Sequence, residues 1–183
     1  MSYSAATVTI IGVLSLINIA LTLGVIRRLG DLERAPAASG GASGPEAPPM
    51  TVKPGARVGD FAVTAVDGGA VSSTELSGPT LVAFLAPGCQ ACDFSVPGFI
   101  ERAEQTPGGR EHVLAVLMGA PQFGEELRER LAPVARVLTE EEENGPLAQA
   151  FGVLGLPAFG VLSDGRMVAS DALPERLPDP AAA

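Results

Sequence analysis

The sequence contains few residues of the kinds that build disulfide scaffolds and metal sites. Its 183 residues include two cysteines, one histidine, one tyrosine and no tryptophan. Two cysteines exclude a secreted scaffold held by several disulfides. Two cysteines and one histidine are too few for a four-ligand structural zinc site of the usual kind. Basic residues are scarce too, and a net charge of −9 argues against nucleic acid as a partner.

One long uncharged stretch, from Thr7 to Ile26, stands apart from the acidic remainder. As a helix rising about 1.5 Å per residue, it would span about 30 Å, the thickness of a bilayer core. A cleaved signal peptide would have a basic start and a shorter apolar core, and here no Lys or Arg precedes Thr7. We therefore predict a single-pass transmembrane anchor over residues 1–28, with the membrane as a partner.

The segment after this anchor is predicted to be a flexible linker over residues 29–54. Its centre, Pro36–Pro49, is rich in Gly, Pro, Ser and Ala and lacks apolar periodicity. Arg27, Arg28 and Arg34 would keep the following chain in the cytoplasm by the positive-inside rule, whereas disulfide chemistry favours the oxidising side of the membrane. The topology stays open at this point.

Strand and helix patterns alternate through residues 55–173, which we predict to be one domain. Hairpins are indicated around Asp67-Gly68-Gly69 and Ser163-Asp164-Gly165. This order predicts an α/β fold, a mixed β-sheet flanked by helices. The further predicted strands are Thr80–Leu85, His112–Met118 and Ala135–Leu138, and the predicted helices run from Cys89 to about Gln105 with an interruption at Pro97, over Glu125–Leu131 and over Leu147–Phe151.

Cys89 and Cys92 form a Cys-x-x-Cys pair between a predicted buried strand and a predicted helix. The free N–H groups and the dipole at a helix N-terminus stabilise a thiolate. We therefore predict that Cys89 is the exposed nucleophile and that Cys92, one turn further, resolves the mixed disulfide. Such a dithiol cycles between thiols and a disulfide without a cofactor, so we expect none.

Other interpretations of these residues are weaker, and one stays open. A disulfide across two residues constrains the unfolded chain little, and a metal site would have only His112 as a further ligand, so we expect no metal. A pair of inert buried thiols remains an alternative. His112 is more often a strand residue than a general base, and Glu140–Glu143 more often a solvated run than a recognition patch.

Two segments carry a resemblance to a known family. Phe84–Cys92, followed by Pro97, resembles the active-site segment of thioredoxin-like proteins, in which a proline at this offset kinks the first helix. Phe151–Pro157 is similar to the family segment that ends in a cis-proline facing the dithiol. The resemblance implies that Pro157 is this cis-proline and helps to bind the substrate backbone.

The resemblance also implies which neighbours of these residues contact substrate. They are Leu156, which precedes Pro157, and Pro87 and Gly88, which precede Cys89. The expected fold is therefore the thioredoxin fold with an N-terminal transmembrane helix.

The chain before the dithiol extends the resemblance towards the redoxin branch. Val58–Phe61, Asp67-Gly68-Gly69 and Leu76-Ser77-Gly78 resemble the N-terminal extension of TlpA-like and peroxiredoxin-like proteins. The predicted anchor followed by Arg27–Arg34 is most similar to the MauD-like accessory proteins of methylamine utilization. The resemblance implies a membrane-tethered thiol–disulfide oxidoreductase that matures an exported protein, with its domain outside the cytoplasm. It also allows a membrane electron-transfer or MauE-like partner.

Several positions depart from the family pattern. Gly88 replaces the tryptophan that often precedes the first cysteine, and Ala83 replaces a buried carboxylate that accepts a proton from the second. Ala86 stands where peroxiredoxins have a threonine, which disfavours peroxide reduction. Prolines in the predicted tail, residues 174–183, indicate that the last family helix is short or absent, leaving one face of the sheet less covered.

Two classes of function remain at this stage. The first is a thiol–disulfide oxidoreductase that acts on protein substrates. The alternative is a membrane-anchored thioredoxin-like binding or chaperone module whose dithiol is incidental. The direction of electron flow is undecided, although Asp93 adds negative charge near the thiols and favours a mild reductant or an isomerase over a strong oxidant.

Overall fold

The computed structural model describes residues 48–119, 124–142 and 144–182, and the single residue Ser15. The predicted anchor, apart from that residue, and the predicted linker up to residue 47 lie outside these ranges. Within the ranges, no helix has the length and apolar character needed to cross a membrane.

Among the described residues, seven strands form two sheets. Their bounds are β1 Ala62–Thr64, β2 Ala70–Ser72, β3 Pro79–Leu85, β4 Val113–Met118, β5 Arg136–Glu140, β6 Ala158–Ser163 and β7 Arg166–Asp171. Five of these strands form the main sheet, in the order β5-β4-β3-β6-β7. Strands β3, β4 and β5 are parallel, whereas β6 and β7 run antiparallel to their neighbours. Strands β1 and β2 form a separate antiparallel sheet.

Helices cover both faces of the main sheet, as predicted. The bounds are α1 Gln90–Gln105, α2 Glu125–Leu131 and α3 Pro146–Phe151. Because side chains alternate along a strand, β3 supplies both cores. Leu81, Ala83 and Leu85 pack on the side of α1 and α2, and Val82 and Phe84 pack on the side of α3.

The hairpin at Asp164-Gly165 is confirmed, and its backbone explains the sequence signal. Both residues have positive φ, +49° and +70°, as a two-residue hairpin turn of the type favoured by Asp-Gly requires. The Asp164 carboxylate also accepts a hydrogen bond from the N–H of Gly78 at 2.7 Å. The turn is therefore tied to the start of β3.

Three local predictions differ from the structure. Helix α1 is continuous through Pro97, which lies on the exposed side and removes one N–H donor without ending the helix. His112 ends a 3-10 turn, Gly109–His112, instead of opening β4. Strand β5 continues to Glu140, because the ladder with β4 extends from Leu114–Arg136 to Met118–Glu140.

The packed unit extends beyond the predicted domain limits of 55 and 173. Met50, in the predicted linker, is 1% exposed and belongs to the core on the α3 side. In the predicted tail, Leu177 is buried in the core on the α1 side. Arg102 of α1 donates hydrogen bonds to the carbonyls of Leu177 and Pro178. The tail forms 3-10 turns at Pro174–Arg176 and Pro180–Ala182 and covers the face that the sequence predicted to be more open.

Candidate active site

The dithiol lies where the chain passes from β3 into α1. Strand β3 ends at Leu85, a turn follows, and Cys89 caps the N-terminus of α1. Cys89 and Cys92 are joined by a disulfide, with their Cα atoms 5.2 Å apart. The predicted pair is thus brought together at the carboxyl edge of the parallel strands.

Main-chain donors at the start of α1 face the sulfur of Cys89. The N–H of Cys92 donates a hydrogen bond to the Cys89 Sγ at 3.2 Å, so the cysteine side chain serves as the helix cap. In the reduced protein, this donor and the positive end of the helix dipole favour a thiolate on Cys89. The local geometry therefore supports the assignment of Cys89 as the nucleophile.

The two sulfurs differ in their access to solvent. Cys89 is half-buried, whereas Cys92 is 0% exposed. An incoming sulfur atom can approach only Cys89, and Cys92 can react only with the sulfur beside it. This asymmetry separates an attacking cysteine from a resolving one.

The surroundings of Cys92 are apolar. Ala83 belongs to the same core cluster as Cys92, so the position that carries a carboxylate in the resembling family holds a methyl group. The other buried members of this cluster on β3 and α1 are Leu81, Leu85, Val96, Phe99 and Ala103. None of these cluster members on β3 and α1 carries a carboxylate that could accept a proton from Cys92.

Pro157 stands at the same edge, immediately before β6. The Leu156–Pro157 peptide is cis. Because Ala158 pairs with Phe84, Pro157 lies beside the end of β3, from which the chain leads to Cys89. Leu156 is half-buried and packs against both core clusters.

The remaining predicted site residues lie in the turn and along α1. Pro87 is half-buried and Gly88 is exposed. Gly88 has φ +75°, and, its two chain neighbours aside, no described residue has an atom within 4 Å of the place that a Cβ would occupy. The turn therefore leaves open space beside Cys89. Pro97 lies within α1, away from the disulfide.

His112 lies at the opposite end of the sheet from the dithiol. Its Nδ1 is 3.1 Å from the carbonyl oxygen of Pro79, at the start of β3, whereas Cys89 follows the end of that strand. This placement excludes His112 as a general base for the dithiol. In the described ranges, no three His, Cys, Asp or Glu side chains are grouped so as to hold a metal ion.

Sequence reasoning missed the role of Glu140. The sequence predicts that it belongs to a solvated acidic run, but Glu140 is 5% exposed. Its carboxylate accepts hydrogen bonds from the N–H groups of Leu147 and Ala148, both at 2.7 Å. Glu140 thus caps α3, the helix that leads to the Pro157 segment. The one signal in the sequence that could have indicated its burial is a continuation of the predicted Ala135–Leu138 strand to Glu140.

Two exposed apolar side chains near the site were also missed. Phe94, two residues after Cys92, is 81% exposed, and Leu154, three residues before Pro157, is 70% exposed. Single exposed apolar side chains are common at protein surfaces, so exposure alone assigns no role to either residue. Only their proximity in sequence to the motifs could have indicated them.

No family model matches this chain, and no curated protein matches it. Among solved structures, it is similar to a thio-disulfide isomerase from Thermus thermophilus, with 25% identity over 72% of this chain and 92% of that chain and a TM-score of 0.52. A thiol:disulfide interchange protein from Bacteroides sp. is 15% identical over 73% and 87% of the two chains, with a TM-score of 0.55.

A third similar structure is a secreted disulfide oxidoreductase from Mycobacterium tuberculosis. It is 17% identical over 67% of this chain and 90% of that chain, with a TM-score of 0.51. These similarities show the thioredoxin fold. Together with the Cys89–Cys92 disulfide at the start of α1, they support a thioredoxin-like thiol–disulfide oxidoreductase.

Proposed function

We propose that this chain is a membrane-tethered thiol–disulfide oxidoreductase that exchanges disulfides with protein substrates. The observation that carries the proposal is the asymmetric dithiol. The Sγ of Cys89 is reachable and faces a helix N-terminus, the Sγ of Cys92 is buried behind it, and Pro157 stands at the same edge. If both thiols were inert core residues, both would be buried, whereas here one sulfur is accessible and caps a helix.

In the reducing direction, the reaction consists of two sulfur displacements. The Cys89 thiolate attacks one sulfur of a substrate disulfide, forms a mixed disulfide and expels the other substrate sulfur as a thiolate. The Cys92 thiolate then attacks the Cys89 Sγ and expels the remaining substrate thiolate. Two electrons pass from the dithiol to the substrate, whose sulfurs take up two protons, and the Cys89–Cys92 disulfide forms. The oxidising direction is the reverse.

The proposed place of this chemistry is outside the cytoplasm, in the maturation of an exported protein. Support comes from the uncharged Thr7–Ile26 segment, from the MauD-like and TlpA-like resemblance of the sequence, and from the oxidising conditions that disulfide exchange on structural substrates favours. The arginines that follow this segment, Arg27, Arg28 and Arg34, favour the opposite topology by the positive-inside rule. Labelling of Cys89 in intact, reduced cells with a membrane-impermeant maleimide tests it. Protection until lysis would reverse the assignment.

A trapping variant tests the activity. Cys92→Ala removes the resolving thiol, so mixed disulfides should accumulate through Cys89 and disappear on reduction. The matched control is Cys89→Ala, which retains only the buried thiol and should form none. If Cys92→Ala traps no partner while partner binding survives in Cys89→Ala, the chain is a binding module and not an oxidoreductase.

The reduction potential decides the direction of electron flow. We propose a mild reductant or isomerase, because Asp93 places a negative charge in the first turn of α1. Dithiols of this fold range from about −270 to about −120 mV, and equilibration of the full-length chain with glutathione buffers measures the value. A potential near the oxidising end would show an oxidase instead.

A further inference from the structure

A short segment at the start of the domain holds the chain that leads to Pro157. The segment consists of Pro49, Met50 and Thr51, and we call it the clasp. Met50 forms an antiparallel bridge with Val153. The Thr51 N–H donates to the Gly152 carbonyl and the Leu154 N–H donates to the Pro49 carbonyl, both at 2.8 Å. The clasp therefore pairs with the chain between α3 and Pro157 on both sides of the bridge.

Side-chain packing also holds the clasp against the core on the α3 side. Met50 is 1% exposed and lies in the α3-side core, against which Leu156 also packs. Gly152, at the end of α3, has φ +62°, and a Cβ there would overlap the Thr51 side chain. The clasp and the end of α3 thus approach so closely that neither can shift without the other.

Between this pairing and β6, the chain is short of main-chain hydrogen bonds. Among the described residues, the last main-chain N–H before Pro157 that is bonded to another segment is that of Leu154. Gly155 and Leu156 lie outside any helix or strand. The position of Leu156 and Pro157 therefore depends on the clasp pairing on one side, and on β6 and the core contacts of Leu156 on the other.

We propose that the clasp is a positioning element for the substrate-binding residues Leu156 and Pro157. The inference rests on the proposed function, since it assumes that a substrate backbone pairs beside Pro157 while Cys89 attacks its disulfide. Loss of the clasp should therefore slow the reaction of Cys89 with polypeptide disulfides but not with small disulfides, which need no backbone pairing.

Two probes with the same leaving group separate these cases. One is a linear peptide whose single cysteine carries a mixed disulfide with nitrothiobenzoate, and the other is the corresponding single amino acid. In the full-length Cys92→Ala protein, attack by the Cys89 thiolate joins Cys89 to the probe and releases the coloured nitrothiobenzoate thiolate. The ratio of the two rate constants, peptide over amino acid, measures backbone recognition at the site.

Met50→Ala is the main variant, and Met167→Ala is its matched control. Both methionines are 1% exposed and lie in the same core cluster, but Met167 belongs to β7. Both variants should lower the unfolding midpoint to a similar extent. Only Met50→Ala should lower the rate ratio, by about tenfold, as expected when a binding element is displaced. Met50→Leu should restore it.

A second pair of variants, at an exposed position of the clasp, tests the proposal if Met50→Ala fails to fold. Thr51 is exposed and follows a residue in a β-bridge, a conformation that proline accepts before it. Thr51→Pro removes the N–H that bonds to Gly152, whereas Thr51→Ala retains it. Thr51→Pro should lower the rate ratio and Thr51→Ala should not.

The outcomes separate this proposal from the proposed function. The parent protein is the full-length Cys92→Ala chain without further changes. Suppose that it reacts faster with the peptide than with the amino acid. If the rate ratio is then equal in Met50→Ala and Met167→Ala, or equal in Thr51→Pro and Thr51→Ala, the clasp has only a structural role. If the parent reacts with both probes but does not prefer the peptide, the positioning role is refuted and the exchange activity stands. If the parent reacts with neither probe, the proposed function fails, and this inference fails with it.

Discussion

The buried carboxylate of Glu140 offers the sharpest test of how this fold is held together. Its oxygens Oε1 and Oε2 each accept one main-chain hydrogen bond, from Leu147 and from Ala148, at 2.7 Å. Hydrogen bonds to a charged group contribute about 1.5–3 kcal/mol each to stability. Glu140→Ala removes both and leaves two donors at the start of α3 without a side-chain partner. We expect a loss of about 3–5 kcal/mol in the free energy of unfolding.

Glu140→Gln should cost less, about 1.5–3 kcal/mol, because its amide retains one acceptor oxygen while its NH₂ group faces an N–H donor. The space around the carboxylate is filled, since a Cβ on Gly145 would overlap it. Relaxation of the chain around the change is therefore limited, and the full cost should appear. For a domain whose total stability is about 5–15 kcal/mol, Glu140→Ala approaches the unfolding limit.

The control is Glu141→Ala, which removes an exposed glutamate from the same run and should change stability by less than about 0.5 kcal/mol. Urea unfolding of the oxidised protein at neutral pH measures all three variants, with an unchanged m-value as the sign that the same transition is observed. If Glu140→Ala were no more costly than Glu141→Ala, the cap would contribute nothing and the reasoning would be refuted.

Two further predictions concern charge and backbone. The hydrogen bond from Arg110, with a second from the Gly69 N–H, lowers the pKa of Asp67 below its ordinary value of 3.8. Its contribution to stability is therefore full above 3.8 and is lost as the pH falls from there through the lower pKa of the folded protein. Asp67→Asn should flatten the decline of the urea midpoint in acid, and an unchanged decline would contradict this. Gly88→Ala should destabilise the oxidised protein by about 1 kcal/mol, because an alanine there is strained at φ +75° although the space for its Cβ is open. The control is Gly155→Ala, where φ is not positive and the space is also open. Equal stability of the two variants would disprove backbone strain at residue 88.

The sequence predicts those parts of the fold that depend on neighbouring residues. Asp164-Gly165 specifies its hairpin through the backbone angles of two adjacent residues. Cys89 and Cys92 are close because one helical turn separates them. The strand Thr80–Leu85 is recognisable because a strand covered on both faces is apolar throughout.

The features that the sequence does not reveal depend on distant partners. Met50 lies in a proline-rich stretch that is typical of a linker, and only its pairing with Val153 makes it core. Leu177 lies in a proline-rich tail, and Arg102, far away in the sequence, fixes it in place. Glu140 begins a run of four glutamates, and nothing local shows that helix α3 will present its N–H groups there.

The unequal burial of the two sulfurs also fixes the stoichiometry of any complex. Because Cys92 is fully buried and Cys89 is the reachable sulfur, a molecule can hold one covalent partner at a time. The chain has no third cysteine, so it cannot bridge two partners or polymerise through disulfides. Each copy of this chain in a trapped complex should therefore hold one covalent partner, and the number of covalently held partners cannot exceed the number of copies of this chain.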